Sequence, residues 1–398
     1  MSAVDKQSLF RIVESINGRI DGVLYFGSSV SSQKVLSSVM HDQEHSAAGL
    51  LHLTQSLVES KLSPRLVVLT ENSVPFENDA SHLELSGSLA VGMLKTINIE
   101  HPEFNAVHID VDSLLNENLE EALKVSASLT SANDKTCEDK LVLRGSEYYV
   151  PRIVSKPVTK SKNITFDSEY SYLITGGLGG LGLACCEWII KCGAKQIILV
   201  SRRVVNEEVQ TKLDHWGESG VTIDVLSLDI STEAGWHTIK DHVNASGSRL
   251  AGVFHLAGIL DDALLVNLEW SQFEKSYQAK VLGLLAFESV FEQSHFDFEV
   301  YFSSLASITG NIGQANYASA NAFVDSFSAL RRSQGHHTHS FNLGAVSNTG
   351  MWHSTHQSSH LISDQASMKP EQLFKAIEQC LSADAGRTIL VNSGSLNE

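Results

Sequence analysis

The sequence predicts an α/β protein made of two Rossmann-like, doubly wound parallel-sheet subdomains. Along its 398 residues, short apolar runs of strand length alternate with segments that have helical spacing. Each half also contains a strand that leads into a turn, GVLYFGSSV in the first half and YLITGGLGG in the second. Only the second turn carries the glycines of a phosphate loop. We therefore expect a degenerate amino-terminal subdomain and a cofactor-binding carboxyl-terminal one.

The first half contains the elements of a parallel sheet. Apolar runs predict strands at residues 22–27, 64–70 and 105–111, and a strand or hairpin within 141–154. Helical spacing of apolar residues predicts helices over 47–60 and 86–98. We assign residues 1–160 to a structural subdomain that binds no cofactor.

The second half is more regular and follows a polar linker at residues 155–169. Five buried strands are predicted at 170–175, 196–200, 221–226, 250–256 and 298–302, with a helix over 182–192. Residues 161–398 are assigned to the catalytic subdomain. Within it, we interpret the polar segment at about 347–369 either as a lid over the substrate, with Gly350 as its hinge, or as a flexible surface loop.

Composition and charge exclude several functions. The chain has 29 Lys and Arg against 46 Asp and Glu, a net charge of −17, whereas a nucleic-acid partner requires a basic face. No apolar run approaches the ~18 residues of a membrane span, and no signal peptide is evident, so we expect a cytoplasmic protein with no membrane partner. The five cysteines include no C-x-x-C pair, which fits reduced thiols.

No metal site is predicted. His336, His337 and His339 lie in a segment that reads as a turn after Gly335. Three later histidines have the spacing of one helical face: His353, His356 and His360. We interpret them as a polar face of the lid and not as a zinc site.

A phosphate loop is predicted between the first strand and helix of the second half. Gly177, Gly179 and Gly182 fit G-x-G-x-x-G, and the helix that follows would present N–H donors to a pyrophosphate. The loop residues that we assign to cofactor binding are Thr175, Gly176, Gly177, Leu178, Gly179, Gly180, Leu181 and Gly182. Ser201 and Arg202 follow the next strand, where NAD-specific sites place an acid. A guanidinium there favours a 2′-phosphate and hence NADPH.

Two further strand ends complete the predicted cofactor site. Asp229 and Ile230 follow the third strand, where the carboxylate could bind an adenine amino group or could instead cap a helix. The fourth strand ends in small residues that would let a cofactor cross the sheet edge, or that form a plain turn: His255, Leu256, Ala257 and Gly258.

Four polar residues behind this loop carry a resemblance to a known family. Ser304, Tyr317 and Asn321 lie in the run FSSLASITGNIGQANYASANAF, and Lys280 lies in QAKVLGLLAF. This pattern resembles the short-chain dehydrogenase/reductase superfamily, and in particular the ketoreductase domains of modular polyketide synthases and animal-type fatty acid synthases. The resemblance extends over nearly the whole chain. It departs from the family's Trp-Gly-x-Trp run at Asn342 and the residues after it.

The chemistry of ketone reduction gives each of these residues a role. Tyr317 would donate the proton, and a nearby Lys280 ammonium would favour its phenolate form. Both side chains would also contact the nicotinamide ribose. Ser304 would hold the substrate carbonyl, and Asn321 would hold Lys280 or a water.

A second feature of the resemblance concerns stereochemistry. Leu260, Asp261 and Asp262 follow the fourth strand. An LDD motif at this place implies the B-type of ketoreductase, B1-like because Ser319 is not proline, with D-β-hydroxy products. The aspartates could instead cap the next helix.

The sequence thus predicts an NADPH-dependent ketoreductase. Its substrate would be a β-ketoacyl chain on the phosphopantetheine arm of an acyl carrier protein, within a synthase module that has other domains. An acidic carrier would need a local basic patch, for which Arg331 and Arg332 are candidates. The alternatives are a non-reducing, cofactor-binding structural domain and a free-standing reductase of small ketones.

Overall fold

The computed structural model describes residues 6–16, 19–27, 36–76, 82–114, 117–128, 138–155, 164–347 and 367–392. By its contacts the chain divides into two compact units. The first unit consists of Met1–Ser155, Asp261–Tyr277 and Ala306–Ser333. The second consists of Lys156–Leu260, Gln278–Leu305 and Gln334–Glu398. The units are therefore discontinuous, because two segments that follow residue 160 belong to the first.

The first unit contains a five-stranded sheet in the order β1-β2-β3-β4-β5. Its strands are β1 (Gly22–Phe26), β2 (Arg65–Glu71), β3 (Val107–Val111), β4 (Lys140–Arg144) and β5 (Glu147–Tyr149). The first four are parallel, and β5 returns antiparallel to β4. The helices of the unit are α1 (Lys6–Ser15), α2 (Leu36–Glu59), α3 (Ser88–Glu100), α4 (Glu117–Ser128), α8 (Trp270–Tyr277), α10 (Ala306–Thr309) and α11 (Ala315–Ser333).

Helix α11 packs against α3 at unusually short range. A Cβ atom at Gly92 of α3 would lie 2.5 Å from the carbonyl oxygen of Ala318. Only glycine fits between the two backbones. The α2 side chain of Gln55 donates to the carbonyl oxygens of Leu265 and Leu268, at 2.7 and 2.9 Å. Helices α2 and α3 thus contact both of the segments that follow residue 160 and belong to the first unit, Asp261–Tyr277 and Ala306–Ser333.

The second unit contains a seven-stranded parallel sheet in the order β12-β11-β10-β9-β6-β7-β8. Its strands are β6 (Ser171–Thr175), β7 (Gln196–Val200), β8 (Thr222–Leu226), β9 (Leu250–His255), β10 (Phe298–Ser304), β11 (Thr338–Leu343) and β12 (Arg387–Leu390). The order reverses between β6 and β9, which makes that place the topological switch point where doubly wound sheets bind ligands.

The helices of the second unit are α5 (Gly180–Lys191), α6 (Glu207–Glu218), α7 (Glu233–Ser246), α9 (Gly283–Phe291) and α12 (Pro370–Ser382). A π-helical turn, Gln278–Leu282, precedes α9. Alternate strand residues such as Ile174, Leu199 and Phe302 form one core with side chains of α5, α6 and α12. Burial of this apolar surface holds the strand ends in fixed positions.

Two Rossmann-like α/β sheets are therefore confirmed, and the reversal of strand order is seen in the second sheet. Strands β11 and β12 were not among the predicted strands. His339 lies within β11 and is buried, so the expectation of a turn at that residue is wrong. Among the helices in the described part of the chain, none combines the length and apolarity needed to cross a membrane.

Candidate active site

The predicted phosphate loop lies at the switch point, between the end of β6 and the start of α5. Gly176 has a φ of +70°, a conformation that glycine adopts without strain. A Cβ atom at Gly182 would lie 2.4 Å from the Gly176 carbonyl oxygen and 2.8 Å from Gly177 Cα. The glycines therefore let the helix start directly against the loop, and its first N–H groups can face a phosphate.

This loop borders a cleft of about 380 Å³ in the second unit. Twelve of the predicted cofactor residues line it: Gly176, Gly179, Gly180, Leu181, Gly182, Ser201, Arg202, Asp229, Ile230, Leu256, Ala257 and Gly258. Leu260 of the predicted stereocontrol motif lines it as well. Six other residues that were predicted to contact the cofactor are not part of this lining: Thr175, Gly177, Leu178, His255, Lys280 and Tyr317. The structure thus gathers four strand ends, which were predicted separately, around one cavity.

A buried pair lies at the strand ends beside the cleft. The Thr175 hydroxyl is 3.0 Å from Nδ1 of His255 and accepts a longer hydrogen bond from the Ala257 N–H at 3.4 Å. Burial, together with the charge of Lys280, lowers the pKa of His255 to about 3. His255 is therefore a neutral residue that supports the cleft wall.

A basic strand end borders another side of the cleft. Arg202 and Arg203 are exposed there beside Ser201. The carboxylate of Asp229 accepts hydrogen bonds from the N–H and hydroxyl of Ser231, at 3.0 and 2.8 Å. Partial burial acts to raise the pKa of Asp229, but these bonds and the charge of Arg202 lower it overall.

The structure also tests whether Asp229 caps the next helix. The N-cap of α7 is Thr232, whose hydroxyl accepts from the Gly235 N–H. Asp229 is therefore not the capping residue of this helix.

Two of the predicted catalytic residues lie in the second unit. Ser304 is the last residue of β10, and Lys280 lies in the π-helical turn. Lys280 is 4% exposed, and its Nζ donates to the Phe302 carbonyl oxygen at 2.7 Å. A Cβ atom at Gly258, which lines the cleft, would lie 3.2 Å from Lys280 Cε. The buried ammonium thus lies between β10 and the cleft wall.

The departure from the family pattern at Asn342 has a structural role. Its amide group donates to Ser303 Oγ at 3.0 Å and to the Ser304 carbonyl oxygen at 3.3 Å. Its side-chain oxygen accepts from Arg387 at 3.1 Å. Asn342 therefore fixes the backbone that presents Ser304. The sequence alone did not predict this role.

The other two predicted catalytic residues lie in the first unit, on α11. Tyr317 is partly exposed, and Asn321 is buried one turn later, where its amide group donates to the Tyr317 carbonyl oxygen at 2.8 Å. The Tyr317 N–H donates to the side-chain oxygen of Asn316 at 2.8 Å. Side-chain hydrogen bonds thus hold the turn that carries Tyr317.

The aspartates of the LDD motif are tied to the same helix and its approach. Asp261 pairs with Lys275, and its carbonyl oxygen accepts from Asn316 at 2.9 Å. Hydrogen bonds from Lys275 and Gln272 lower the pKa of Asp261. Asp262 accepts from Gln314 at 2.8 Å. The side chains bind other residues instead of capping the next helical turn, whose N-cap is Leu264.

Glu100 of α3 was not identified from the sequence. Its two carboxylate oxygens accept from the backbone N–H groups of Leu265 and Gly313, at 2.7 and 2.8 Å. One carboxylate thus joins the segment after the LDD motif to the segment before Tyr317. No local motif marks Glu100, because its partners are distant in sequence.

Most of the predicted lid at about 347–369 lies outside the described residues, as do Gly350 and the three histidines predicted on its polar face. Arg331 is 1% exposed, so the suggestion that it contributes to a basic surface patch is wrong.

A glycine-built cleft at the switch point of a parallel sheet places the second unit in the Rossmann class of dinucleotide-binding proteins. Residues 171–348 match the family described as "KR domain". Residues 18–153 match "Polyketide synthase extender module SpnB, Rossmann fold domain". Residues 171–348 are thus similar to the KR domain, the ketoreductase domain of polyketide synthases, whose members are oxidoreductases that use a nicotinamide cofactor.

Curated relatives are much longer than this chain. It is 29% identical over 369 residues to a 6-methylsalicylic acid synthase of Arthrobotrys oligospora, which covers 88% of the chain and 20% of that protein. It is 28% identical over 329 residues to a phenolphthiocerol/phthiocerol polyketide synthase subunit of Mycobacterium tuberculosis, covering 82% of the chain and 17% of the relative. The chain thus spans a fifth or less of these two relatives.

Solved ketoreductases share the fold. A-type ketoreductases from a modular polyketide synthase match with a TM-score of 0.86 at 23% identity, over 98% of this chain and 82% of theirs. A C2-type ketoreductase matches with a TM-score of 0.79 at 19% identity, over 98% of this chain and 83% of its own. Since both types match, likeness of fold does not distinguish the stereochemical types.

Proposed function

We propose that this chain reduces a β-ketoacyl thioester to the β-hydroxyacyl thioester with NADPH, while the acyl chain is held on an acyl carrier protein. The observation that carries this proposal is the buried Lys280. Its ammonium lies between a cleft built for a dinucleotide and the strand that ends in Ser304. Burying a cation is costly, so such a placement favours a role in the reaction.

The fit of a dinucleotide rests on the glycines of the cleft. A Cβ atom at Gly176 would lie 3.0 Å from Ala257 Cα, and one at Gly182 would lie 2.4 Å from the Gly176 carbonyl oxygen, so larger residues would displace the loop that is proposed to hold the pyrophosphate. Arg202 and Arg203 at the strand end favour a 2′-phosphate, and hence NADPH over NADH. Asp229 would hold the adenine end. When bound, NADPH supplies the hydride that reduces the carbonyl carbon.

The proposed proton chemistry uses the four polar residues. Ser304 donates a hydrogen bond to the substrate carbonyl and polarises it. Tyr317 gives its hydroxyl proton to the carbonyl oxygen as negative charge develops there. Lys280 stabilises the resulting phenolate. Asn321 positions Lys280 or a water that returns a proton to Tyr317.

The substrate and the stereochemistry follow from the resemblance of the LDD motif. Leu260 lines the cleft, and Asp261 and Asp262 are held by Lys275 and Gln314. We infer that this motif sets the orientation in which the thioester binds and gives a D-β-hydroxy product. Tethering to the carrier raises the effective substrate concentration, so weak contacts suffice despite the net charge of −17.

The test is NADPH oxidation with a β-ketoacyl N-acetylcysteamine thioester, with the product resolved on a chiral column. NADH is run in parallel to measure the cofactor preference. We expect Tyr317→Phe to lower kcat by ~100-fold or more, because a positioned general acid contributes about that much. Tyr148→Phe is the matched control, since Tyr148 is exposed and its hydroxyl donates to Glu121, away from the cleft.

Each outcome decides between the proposed functions. Turnover that is lost in Tyr317→Phe and kept in Tyr148→Phe supports the ketoreductase, and a D product supports the LDD interpretation. NADPH binding without turnover of either the thioester or a carrier-bound substrate would point to a structural domain. Equal turnover of small ketones that lack a thioester would point to a free-standing reductase.

A further inference from the structure

Two histidines and an aspartate meet at the amino-terminal edge of the second sheet. His337 immediately precedes β11, His339 lies within it, and Asp384 lies in the turn between α12 and β12. One ligand atom from each residue lies within 4.8 Å of the other two. The cofactor cleft lies at the carboxyl ends of β6, β7 and β9, so this cluster is separated from it by the length of a parallel strand.

The orientation of His337 is set from outside the cluster. Its Nδ1 lies 2.8 Å from the carbonyl oxygen of Asp297, just before β10. A carbonyl oxygen can only accept, so Nδ1 carries the proton. In the neutral ring, Nε2 is then the atom with the free lone pair, and it faces Asp384 Oδ1 at 3.1 Å. A histidine that binds a metal through one ring nitrogen typically donates the N–H of the other nitrogen to an acceptor such as a carbonyl oxygen, and His337 has this arrangement.

The distances within the cluster suit a small divalent ion. The His339 Nε2 lies 3.8 Å from the same Asp384 oxygen, and His337 Nε2 lies 3.1 Å from it. In a tetrahedral zinc site, bonds of about 2.0–2.2 Å place neighbouring ligand atoms roughly 3.4 Å apart. These two distances bracket this value, and the two histidine nitrogens lie within 4.8 Å of each other, so side-chain rotations would bring the three ligand atoms around one ion.

The donor set also selects the class of metal. Two imidazole nitrogens and one carboxylate favour zinc and related first-row divalent ions over magnesium or calcium, which prefer oxygen alone. His337 and Asp384 are exposed, while His339 is buried beneath them. An ion could therefore reach the site from solvent, with water as its fourth ligand.

We propose that His337, His339 and Asp384 form a zinc-type divalent metal site that clips the α12–β12 turn to the start of β11. The site does not depend on the proposed ketoreductase activity. Its function would be to stabilise the carboxyl-terminal strands of the sheet, since an ion that binds only the folded state raises its stability.

The test is titration of the chelator-treated full chain with Co²⁺ and with Zn²⁺. The readouts are the visible absorption bands of bound Co²⁺, the Zn²⁺ affinity by competition with a chromophoric chelator, and the thermal midpoint. Asp384→Asn is the chosen variant, because asparagine tolerates the left-handed backbone there (φ +48°) and removes only the charged ligand. His337→Gln is a second exposed variant.

The matched control is His242→Gln. His242 pairs with Asp224 at 2.9 Å, which reproduces the histidine–aspartate pair in a position where no third metal ligand was found among the described residues. We expect one tight Zn²⁺ site and a raised thermal midpoint in the wild type and in His242→Gln. Both variants at the cluster should weaken the affinity at least ~10-fold.

Two results would overturn the proposal. Undiminished tight binding in Asp384→Asn and His337→Gln would place the ion on other histidines of the chain. A wild type that binds neither ion would leave the cluster as an ordinary ion pair in which a proton joins His337 to Asp384.

Discussion

Both sheets contain a buried threonine–histidine pair that joins two neighbouring strands. In the first sheet, Thr70 Oγ1 lies 2.8 Å from His108 Nε2. In the second, Thr175 Oγ1 lies 3.0 Å from His255 Nδ1. Thr175 and His255 are the last residues of their strands, where parallel α/β sheets place their ligand sites, whereas Thr70 is near the end of β2 and His108 near the start of β3. The two sheets therefore share the pair of side chains but not its position along the strands.

What surrounds the pair differs sharply. In the first sheet the Thr70 hydroxyl donates to the fully buried carboxylate of Asp110. That carboxylate also accepts from the Ser73 N–H at 2.8 Å and from Arg144 at 2.6 Å. The strand ends of β2, β3 and β4 are thus joined by an internal charged network.

In the second sheet the corresponding hydroxyl accepts from the backbone N–H of Ala257, which lines the cleft. Glycines and small residues follow β6 and β9, the two strands of the pair, in place of charged side chains. A buried threonine–histidine pair can thus lie next to either a closed polar core or the wall of the proposed cofactor cleft. The residues that follow the strands decide between the two.

The largest expected effect comes from breaking the closed network of the first sheet. Arg144→Ala would leave the buried Asp110 carboxyl without its guanidinium partner, which should cost about 3–5 kcal/mol of unfolding free energy. Urea unfolding measures this loss. Arg152→Ala is the control, because its ion pair with Glu138 is exposed and should contribute at most ~1 kcal/mol. Equal losses in the two variants would show that the network does not stabilise the first sheet.

The second prediction fills the open edge of the second sheet. Gly182→Val would push side-chain atoms into Gly176 and Gly177, and such overpacking costs about 1–3 kcal/mol. Because the strain falls on the phosphate loop, we expect NADPH affinity to fall about 10- to 100-fold in a fluorescence titration. Gly217→Ala is the control, since no atom lies within 4 Å of its added Cβ. Unchanged affinity in Gly182→Val would place the cofactor elsewhere.

The smallest expected effect is on the pH dependence of the unfolding free energy, to which the buried His255 and His108 both contribute. Burial, with the charge of Lys280, lowers the pKa of His255 to about 3. Burial, with the charges of Lys140, Lys95 and Arg144, also lowers the pKa of His108 well below its usual value. Below about pH 6.5 the unfolded chain gains protons that the folded chain does not, so stability falls as the pH falls.

For each histidine this loss is about 1.5–2 kcal/mol between pH 6.5 and pH 5. Urea unfolding of His255→Asn and His108→Asn across this range should show a shallower acid slope, by up to one proton for each residue. A slope equal to that of the wild type would mean that the substituted histidine becomes protonated within the folded protein.

Several elements of the second sheet could be predicted because their sequences are locally unambiguous. QIILV reads as a buried strand, and its predicted bounds equal those of β7. The glycine loop could be predicted because its motif lies between a strand and a helix. Strand β11 was missed because THSFNL is largely polar and yet entirely buried. Its polar side chains are accommodated by neighbouring strands, which are distant in sequence.

Long-range contacts also explain what was missed at the site. The roles of Glu100 and Asn342 depend on partners that lie many residues away, such as Gly313 and Ser303. The burial of Arg331 depends on the packing of α11, so its position in a basic dipeptide was misleading. Single-sequence patterns report periodicity and local motifs, and these residues have neither.

The contact between Gly92 and Ala318 has a consequence for the recombination of synthases. It joins α3, from the amino-terminal part of the chain, to the helix that carries Tyr317, and it leaves no room for a side chain. In a chimera that receives only residues 171–348 from this protein, the recipient's α3 would pack against this helix. If the recipient's α3 lacks glycine at this position, the added side chain would displace the helix that carries Tyr317. The smallest exchangeable piece of this protein therefore contains both halves from one parent, and it includes α12 and β12, which complete the second sheet and its core.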